Sequence, residues 1–394
     1  MKHHLTRSSL RGRIAAATAA VAALLGIGVL PALAQPAGAA APTCVRGTLA
    51  YSFYDAETDD RDFSATVPRA RFELRDDSGV LSTGETDRRG GFAACTRRAG
   101  TGLRVWFASS AAHGTWQVIR TSVVDPGKDD LHWFGTRSID TSHGRRVDLG
   151  VVQPPADQQG AFRIVSVLDK LYDERGHHSR CFAKVDTGRC APLTYVWAAD
   201  RETGGWWDYW GPGDAYVDPE EGGLVNTKYV VLDKTDPASQ HTILHEAGHW
   251  LQWQLHRERF PEVTACNPHY INKPSSESCA WTEGFADAVA AHVLGDRRYV
   301  YSSGFSYPLH RTDCTPAEPR GCAFDGGRAT QGNVGSALLD LWDAEGGWRH
   351  SFAAMATQVS PDVQAYYEHR YPFPSRRVRA IHDRWTLQET NGVR

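Results

Sequence analysis

A chain of 394 residues with 41% hydrophobic and 23% charged residues has the composition of a globular protein, neither disordered nor membrane-embedded. Its formal net charge is −3 and no basic run follows the first residues, which excludes a nucleic-acid surface of the counterion-releasing kind. The length exceeds what one hydrophobic core usually organises, so two folded units are expected.

Residues 1–34 read as a signal peptide: Lys2, Arg7, Arg11 and Arg13, then an apolar stretch from Ile14 to Leu30, then the small-residue end Pro31-Ala-Leu-Ala34. A membrane anchor competes with this reading, but the stretch is rich in Ala and Gly and barely long enough to span. Arg11 and Arg13 are not adjacent, which favours the general secretory route over a twin-arginine one. A secreted, extracellular protein with no stable membrane insertion after cleavage is the expectation. Residues 35–43 are small and proline-bearing and form a linker.

The exported chain carries eight cysteines, at 44, 95, 181, 190, 266, 279, 314 and 322. In an oxidising compartment an even number implies disulfides, and they fall into sequence-neighbour couples: 44 with 95, 181 with 190, 266 with 279, 314 with 322. C-x-x-C spacing is absent, so thiolate metal binding is not expected.

From Cys44 to about 153 short β runs alternate with turn chemistry. Candidates are Val45–Phe53, Arg69–Leu74 closing on Asp76-Asp77-Ser78-Gly79, Phe92–Cys95, Leu103–Phe107, Trp116–Val124 and Arg146–Val152. This rhythm predicts an all-β sandwich over 44–153. The segment ATVPRARFELRDDSGVLSTGETDRRGGFAACT resembles transthyretin-like or carboxypeptidase-regulatory-like modules.

At Pro154-Pro155 the texture changes, and a second domain is expected over 156–394. Apolar residues at 162, 164, 165, 167, 168, 171 and 172 predict a helix over Ala161–Glu174. Lys228–Asp233 is a strand candidate, and Asp236-Pro237 has the signature of a cap with proline at the first helical position, opening a helix to about Leu255. A further helix is expected from Ala280 to Leu294, stopped by Gly295, and others at 332–343, 347–358, 361–369 and 375–389.

Within HTILHEAGHWLQW, His245, Glu246 and His249 form H-E-x-x-H on the first of these helices. Imidazoles four residues apart share a helical face and can reach one ion without bending the backbone, while Glu246 can meet a water on that ion. The arrangement suits zinc. A third ligand is needed. The metzincin extension is excluded by Gln252 and Leu255, and Met355, the only methionine after Met1, lies within a predicted helix. In CAWTEGFADAVAAHVLG, Glu283 and Asp287 stand four apart; Glu283 is the expected third ligand, and Asp287 could accept the free N–H of a ligating imidazole.

Here the sequence resembles the gluzincins, whose active helix bears H-E-x-x-H and whose next helix bears E-x-x-x-D. The resemblance covers about 160–345 and includes WTEGFAD and GNVGSALLDLWD. It implies one catalytic Zn2+ held by His245, His249 and Glu283, with Glu246 as general base and Asp287 orienting a histidine. It also implies an α+β architecture: a zincin-type catalytic domain with a mainly helical C-terminal part, preceded by the sandwich. One departure is the 33 residues between His249 and Glu283, longer than is usual for that family; a Cys266–Cys279 bridge would close the excess. Glu262 and Glu277 stay as alternative ligands.

The implied activity is hydrolysis of peptide bonds in a peptide or protein substrate. Two rivals stay open: a catalytically silent binding or adhesion protein, and a zinc hydrolase of a non-peptide amide or ester. Tyr301, His310, Arg328 and His350 are candidates for stabilising the oxyanion. GGWWDYWGPG (204–213) reads as an interdomain packing loop or an aromatic rim, His177-His178 as a solvated loop, and ETDDRD (57–62) as a charged turn. Oligomeric state is not encoded in any of these features.

Overall fold

A computed structural model describes residues 42–97, 101–120, 131–140, 146–175, 192–200, 209–210 (backbone only), 229–257, 259–314 and 319–387. Residues 1–34, read above as a signal peptide, Cys181 and Cys190, His177-His178 and most of the Trp-rich loop lie outside the described residues.

The N-terminal part is β-rich: β1 (Thr43–Ser52), β2 (Ser64–Thr66), β3 (Ala70–Asp76), β4 (Gly79–Glu85), β5 (Gly91–Thr96), β6 (Arg104–Ala111), β7 (Trp116–Ile119), β8 (Trp133–Gly135) and β9 (Arg146–Val152). Alternation sets the inner faces: in β5, Phe92 and Ala94 are buried while Ala93 and Cys95 are exposed. β1 pairs antiparallel with β2 and β5 and parallel with β9, and β3, β4, β6, β7 and β8 belong to a second sheet. The sheets meet through aromatic side chains, with Phe92 5.8 Å from Phe72 and 5.0 Å from Phe107, ring centre to ring centre. Cys44 and Cys95 are register partners on β1 and β5 and form one disulfide; Cys266–Cys279 and Cys314–Cys322 form two more.

The expected break at Pro154-Pro155 is not a break in the core. After α1 (Gln159–Glu174) the chain returns to the second sheet: β10 (Leu193–Val196) pairs parallel with β7, β12 (Tyr229–Val231) pairs parallel with β10, and β11 (Tyr209–Trp210) pairs antiparallel with β12. The physical reason is the bare edge of β7, whose unpaired amides and carbonyls need a partner. α1 buries Phe162, Ile164, Val165, Val167, Leu168 and Leu171 in the same cluster as the N-terminal phenylalanines. Trp116 Nε1 donates to the Val165 carbonyl at 3.0 Å. Residues 41–394 accordingly form one compact unit.

The C-terminal part is helical: α2 (Gln240–Leu255), α3 (Glu277–Leu294), the hairpin β13 (Arg298–Val300) and β14 (Ser306–Pro308), then α4 (Gln331–Glu345), α5 (Arg349–Met355), α6 (Val363–Arg370) and α7 (Arg376–Thr386). The molecule is therefore α+β. Asp236-Pro237 opens only a short 3₁₀ turn; the cap of α2 is Ser239, whose hydroxyl accepts from the Thr242 amide at 2.9 Å. α3 starts at Glu277, three residues earlier than expected, capped by Ser276, and stops at Gly295, whose φ of 66° favours glycine. Among the described residues no helix is long and apolar enough to cross a membrane.

α2 ends at His256, which is 1% exposed and has no hydrogen-bond partner for either ring nitrogen among the described residues. Burial, with the Arg259 charge nearby, pushes its pKa down to about 4. The unfolded chain, with an ordinary histidine value of about 6.5, binds the proton first. Stability is therefore expected to fall as pH drops from about 6.5 to about 4, by up to about 3 kcal/mol from this residue. Urea unfolding across that window should show the loss, and His256→Leu should flatten it; an unchanged pH slope in the variant would refute the assignment.

Candidate metal centre

The site begins with how α2 is held. Arg163 of α1 is 0% exposed and donates to Asp55 Oδ1 at 2.5 Å and to the Pro237 and Ala238 carbonyls just ahead of α2. Asp55 also accepts from Gln240 Nε2 at 2.9 Å. Glu57 Oε1 accepts from the backbone amides of Gln240 (2.6 Å) and His241 (3.0 Å), so an N-terminal carboxylate lies on the positive end of the helix dipole. The ETDDRD turn thereby anchors the helix that carries the histidines.

His245 and His249 face the same way, with their Nε2 atoms 3.1 Å apart. α3 reaches them because α2 has no side chain at Gly248, where a Cβ would lie 2.8 Å from the Ala286 Cα. Gly284 does the same between α3 and α4, its Cβ position falling 2.7 Å from the Gln331 carbonyl. Mid-helix glycine costs about 1 kcal/mol of helix propensity; here it permits the approach of the helices. Glu283 Oε2 then lies 3.2 Å from His245 Nε2 and 3.5 Å from His249 Nε2. One turn further on, Asp287 Oδ1 is 2.8 Å from His245 Nδ1, so the carboxylate accepts a hydrogen bond from Nδ1–H and Nε2 is the nitrogen directed at Glu283. His245, Glu246 and His249 are buried and offer donor atoms within 4.8 Å of one another, a group that could hold a metal ion.

The electrostatics suit a shared cation. Burial acts to lower the His245 pKa, but hydrogen bonds to Asp287 and Glu283 hold it well above the ordinary histidine value. Burial would raise Glu283, yet the His249 charge and hydrogen bonds from both histidines keep it well below the usual carboxylate range. Glu246 is raised by burial, opposed by the two histidines. Its Oε2 is buried with no hydrogen-bond partner among the described residues.

The structure thus brings together His245, Glu246, His249, Glu283 and Asp287. Glu277 is engaged elsewhere, 2.7 Å from Arg328, and Glu262 is exposed. Of the oxyanion candidates, Arg328 is taken up by Glu277, His310 packs on Trp385 and His350 is exposed on α5. The Tyr301 ring lies 4.7 Å from that of Tyr299, tilted by 52°, and the Tyr299 ring lies 5.4 Å from that of His245. Sequence reasoning missed Tyr299 and also His269, whose Nδ1 is 3.7 Å from Glu283 Oε2. The only signal for His269 was its place in the surplus stretch between His249 and Glu283. Cys266–Cys279 does close that stretch, and Cys266 Sγ sits 3.9 Å from Glu283 Oε1.

Residues 175–384, just over half of the chain, match the model of the Mycolysin C-terminal domain, and the match encloses α2, α3 and every side chain of the site. The chain belongs to the Mycolysin C-terminal domain family. Mycolysin-type domains are associated with secreted metallopeptidases; the family description names a domain and not a reaction. None of the curated proteins matches. Among solved structures, a 9R-lipoxygenase from Cyanothece PCC8801 is similar at 13% identity and a TM-score of 0.18. That likeness covers 38% of this chain and 25% of the lipoxygenase, so the chain spans about a quarter of its length, and the score is too low to carry an argument.

For this mycolysin-type domain the glycine contact is a direct test of the site. Gly248→Ala is expected to force α2 and α3 apart, at about 1–3 kcal/mol, and to weaken metal-ion binding at least tenfold. Competition titration against a chromogenic chelator would measure it; unchanged affinity would mean that helix spacing does not set the site.

Proposed function

We propose that the chain is a secreted, zinc-dependent metallopeptidase of the gluzincin type that hydrolyses peptide bonds in peptide or protein substrates. One observation carries this reading: the Nε2 atoms of His245 and His249 and the Oε2 of Glu283 stand 3.1, 3.2 and 3.5 Å from one another, with Glu246 alongside. Donors bound to one tetrahedral zinc lie about 3.3–3.5 Å apart, given bonds of about 2.0–2.2 Å. Two imidazoles and one carboxylate also match the ligand set of catalytic sites that keep a fourth position open. The residues present therefore fit the ion.

When bound, zinc polarises a carbonyl and acidifies a water. The protein's own groups do the rest. Glu246, buried and raised in proton affinity, takes the proton from the attacking water and delivers it to the departing amine. Asp287 fixes the His245 ring so that Nε2 offers its lone pair, and the charge of Glu283 balances the cation. The mixed sheet ending in the antiparallel strand β11 beside α2 supports a zincin-type fold for the C-terminal part, and the leading 34 residues support export.

The test is metal analysis combined with a quenched-peptide library. One zinc per chain, chelator-sensitive cleavage, and loss of both zinc and cleavage in Glu283→Ala are expected. Zinc without cleavage of any peptide would favour the silent binding protein; cleavage confined to simple esters or amides would favour the non-peptide hydrolase. A chain that binds no zinc would sink all three.

A further inference from the structure

Gln331 begins α4, immediately before the GNVGSALLDLWD segment, which the assigned site leaves without a role, and is 4% exposed. Its amide touches two different parts of the site. Nε2 donates to Asp287 Oδ2 at 3.0 Å, and Oε1 lies 2.9 Å from His269 Nδ1. The orientation is dictated by chemistry: a carboxylate only accepts, so the amide nitrogen faces Asp287 and the amide oxygen must face His269. His269 therefore carries its proton on Nδ1. The other oxygen of Asp287 accepts from His245 Nδ1 at 2.8 Å.

We propose that Gln331 is a positioning residue that ties His269 and the Asp287–His245 pair into one directed hydrogen-bond chain, fixing a second imidazole beside the metal ligands. The chain runs from His269 through Gln331 to Asp287, where it meets the proton of His245. Both rings carry a proton on Nδ1, with Nε2 left for other work. In His245 that nitrogen faces Glu283. In His269, whose side chain is 40% exposed, it is the nitrogen available to a substrate. His269 sits on the loop closed by Cys266–Cys279, so one end of the chain is pinned by a covalent bridge and the other by α2. Aligned buried hydrogen bonds polarise one another, and groups behind a metal-bound histidine typically tune metal affinity or activity by about 10–100-fold.

The inference rests on the zinc reading for the role of His245, so its test includes a measurement that needs no zinc. In zinc-free protein at pH 8, ¹⁵N NMR of the imidazoles should show His269 locked as Nδ1–H, and in Gln331→Met the ring should become a mixture of tautomers. In the zinc-loaded protein Gln331→Met should bind zinc about 10–100-fold more weakly. Wild-type zinc affinity and an unchanged His269 tautomer in that variant would overturn the proposal. If Gln331→Met does not fold, His269→Ala reads the same chain from its exposed end. It should keep zinc affinity within about threefold while peptide turnover drops about tenfold or more, because Asp287 still receives both its donors. Loss of zinc in His269→Ala would overturn the proposal by making His269 a ligand. A protein that bound no zinc would sink the proposed function and still leave the zinc-free tautomer measurement to judge Gln331.

Discussion

Glu246→Gln is expected to retain one zinc per chain and to lower peptide hydrolysis by about 10²–10⁴-fold, the range of a lost general base. The substitution keeps the shape of the side chain and removes only its capacity to take a proton. It should spare the metal because the three convergent donors are supplied by His245, His249 and Glu283. Glu246 itself has an oxygen buried with no partner among the described residues, and burial raises its pKa, the state of a carboxylate poised to accept a proton. The measurement is kcat/KM on the best peptide from the library, with zinc content checked in parallel. Turnover above a tenth of wild type with zinc in place would remove Glu246 from the mechanism. Loss of zinc would instead make it a ligand.

The second large effect should come from a residue far from the chemistry. Arg163→Ala is expected to destabilise the fold by about 3–5 kcal/mol, the usual result of removing one partner of a buried ion pair. Asp55, whose carboxyl burial would raise and Arg163 holds below its ordinary value, would be left charged and underpaired. The Pro237 and Ala238 carbonyls would each lose the guanidinium at the same time, Ala238 keeping only the Ala56 amide. Because Asp55 and Glu57 hold the first residues of α2, the loss should reach the zinc site as weaker metal binding. Urea unfolding with and without zinc measures both parts, and pairing the change with Asp55→Asn gives the coupling between the two side chains. A change below about 1 kcal/mol would mean that water replaces the guanidinium without cost. For the same reason a chain beginning at 156 should fail to hold zinc.

Much of the site was legible because its information is local. His245, His249 and the Glu283–Asp287 pair each rest on a four-residue spacing that any straight helix turns into one face. The convergence of the two helices was legible only as an expectation, since nothing in either spacing states how closely they cross; Gly248 and Gly284 decide that. The strands with β-branched or aromatic alternation, such as β1, β5 and β9, stood out, whereas β4 did not, because GVLSTGE is polar, glycine-bearing and has no fully buried residue. The pairing of β7 with β10 had no signature at all, being a contact across more than seventy residues that depends on which edge is left bare. Asp236-Pro237 carried a better cap signature than Ser239 and lost to it because Asp236 is turned back to accept from the Asp233 amide at 2.5 Å. His269 and Gln331 meet only in three dimensions, and neither residue type in its own neighbourhood suggests the other.

The neighbouring of β7 and β10 also constrains how such a chain can be rearranged. A module hung on a linker can be swapped by recombination as a cassette, but strands that interleave with those of the following segment must be inherited together with them. Any relative that carried a different N-terminal part would have to supply its own edge for β10 and its own acidic turn for the start of α2.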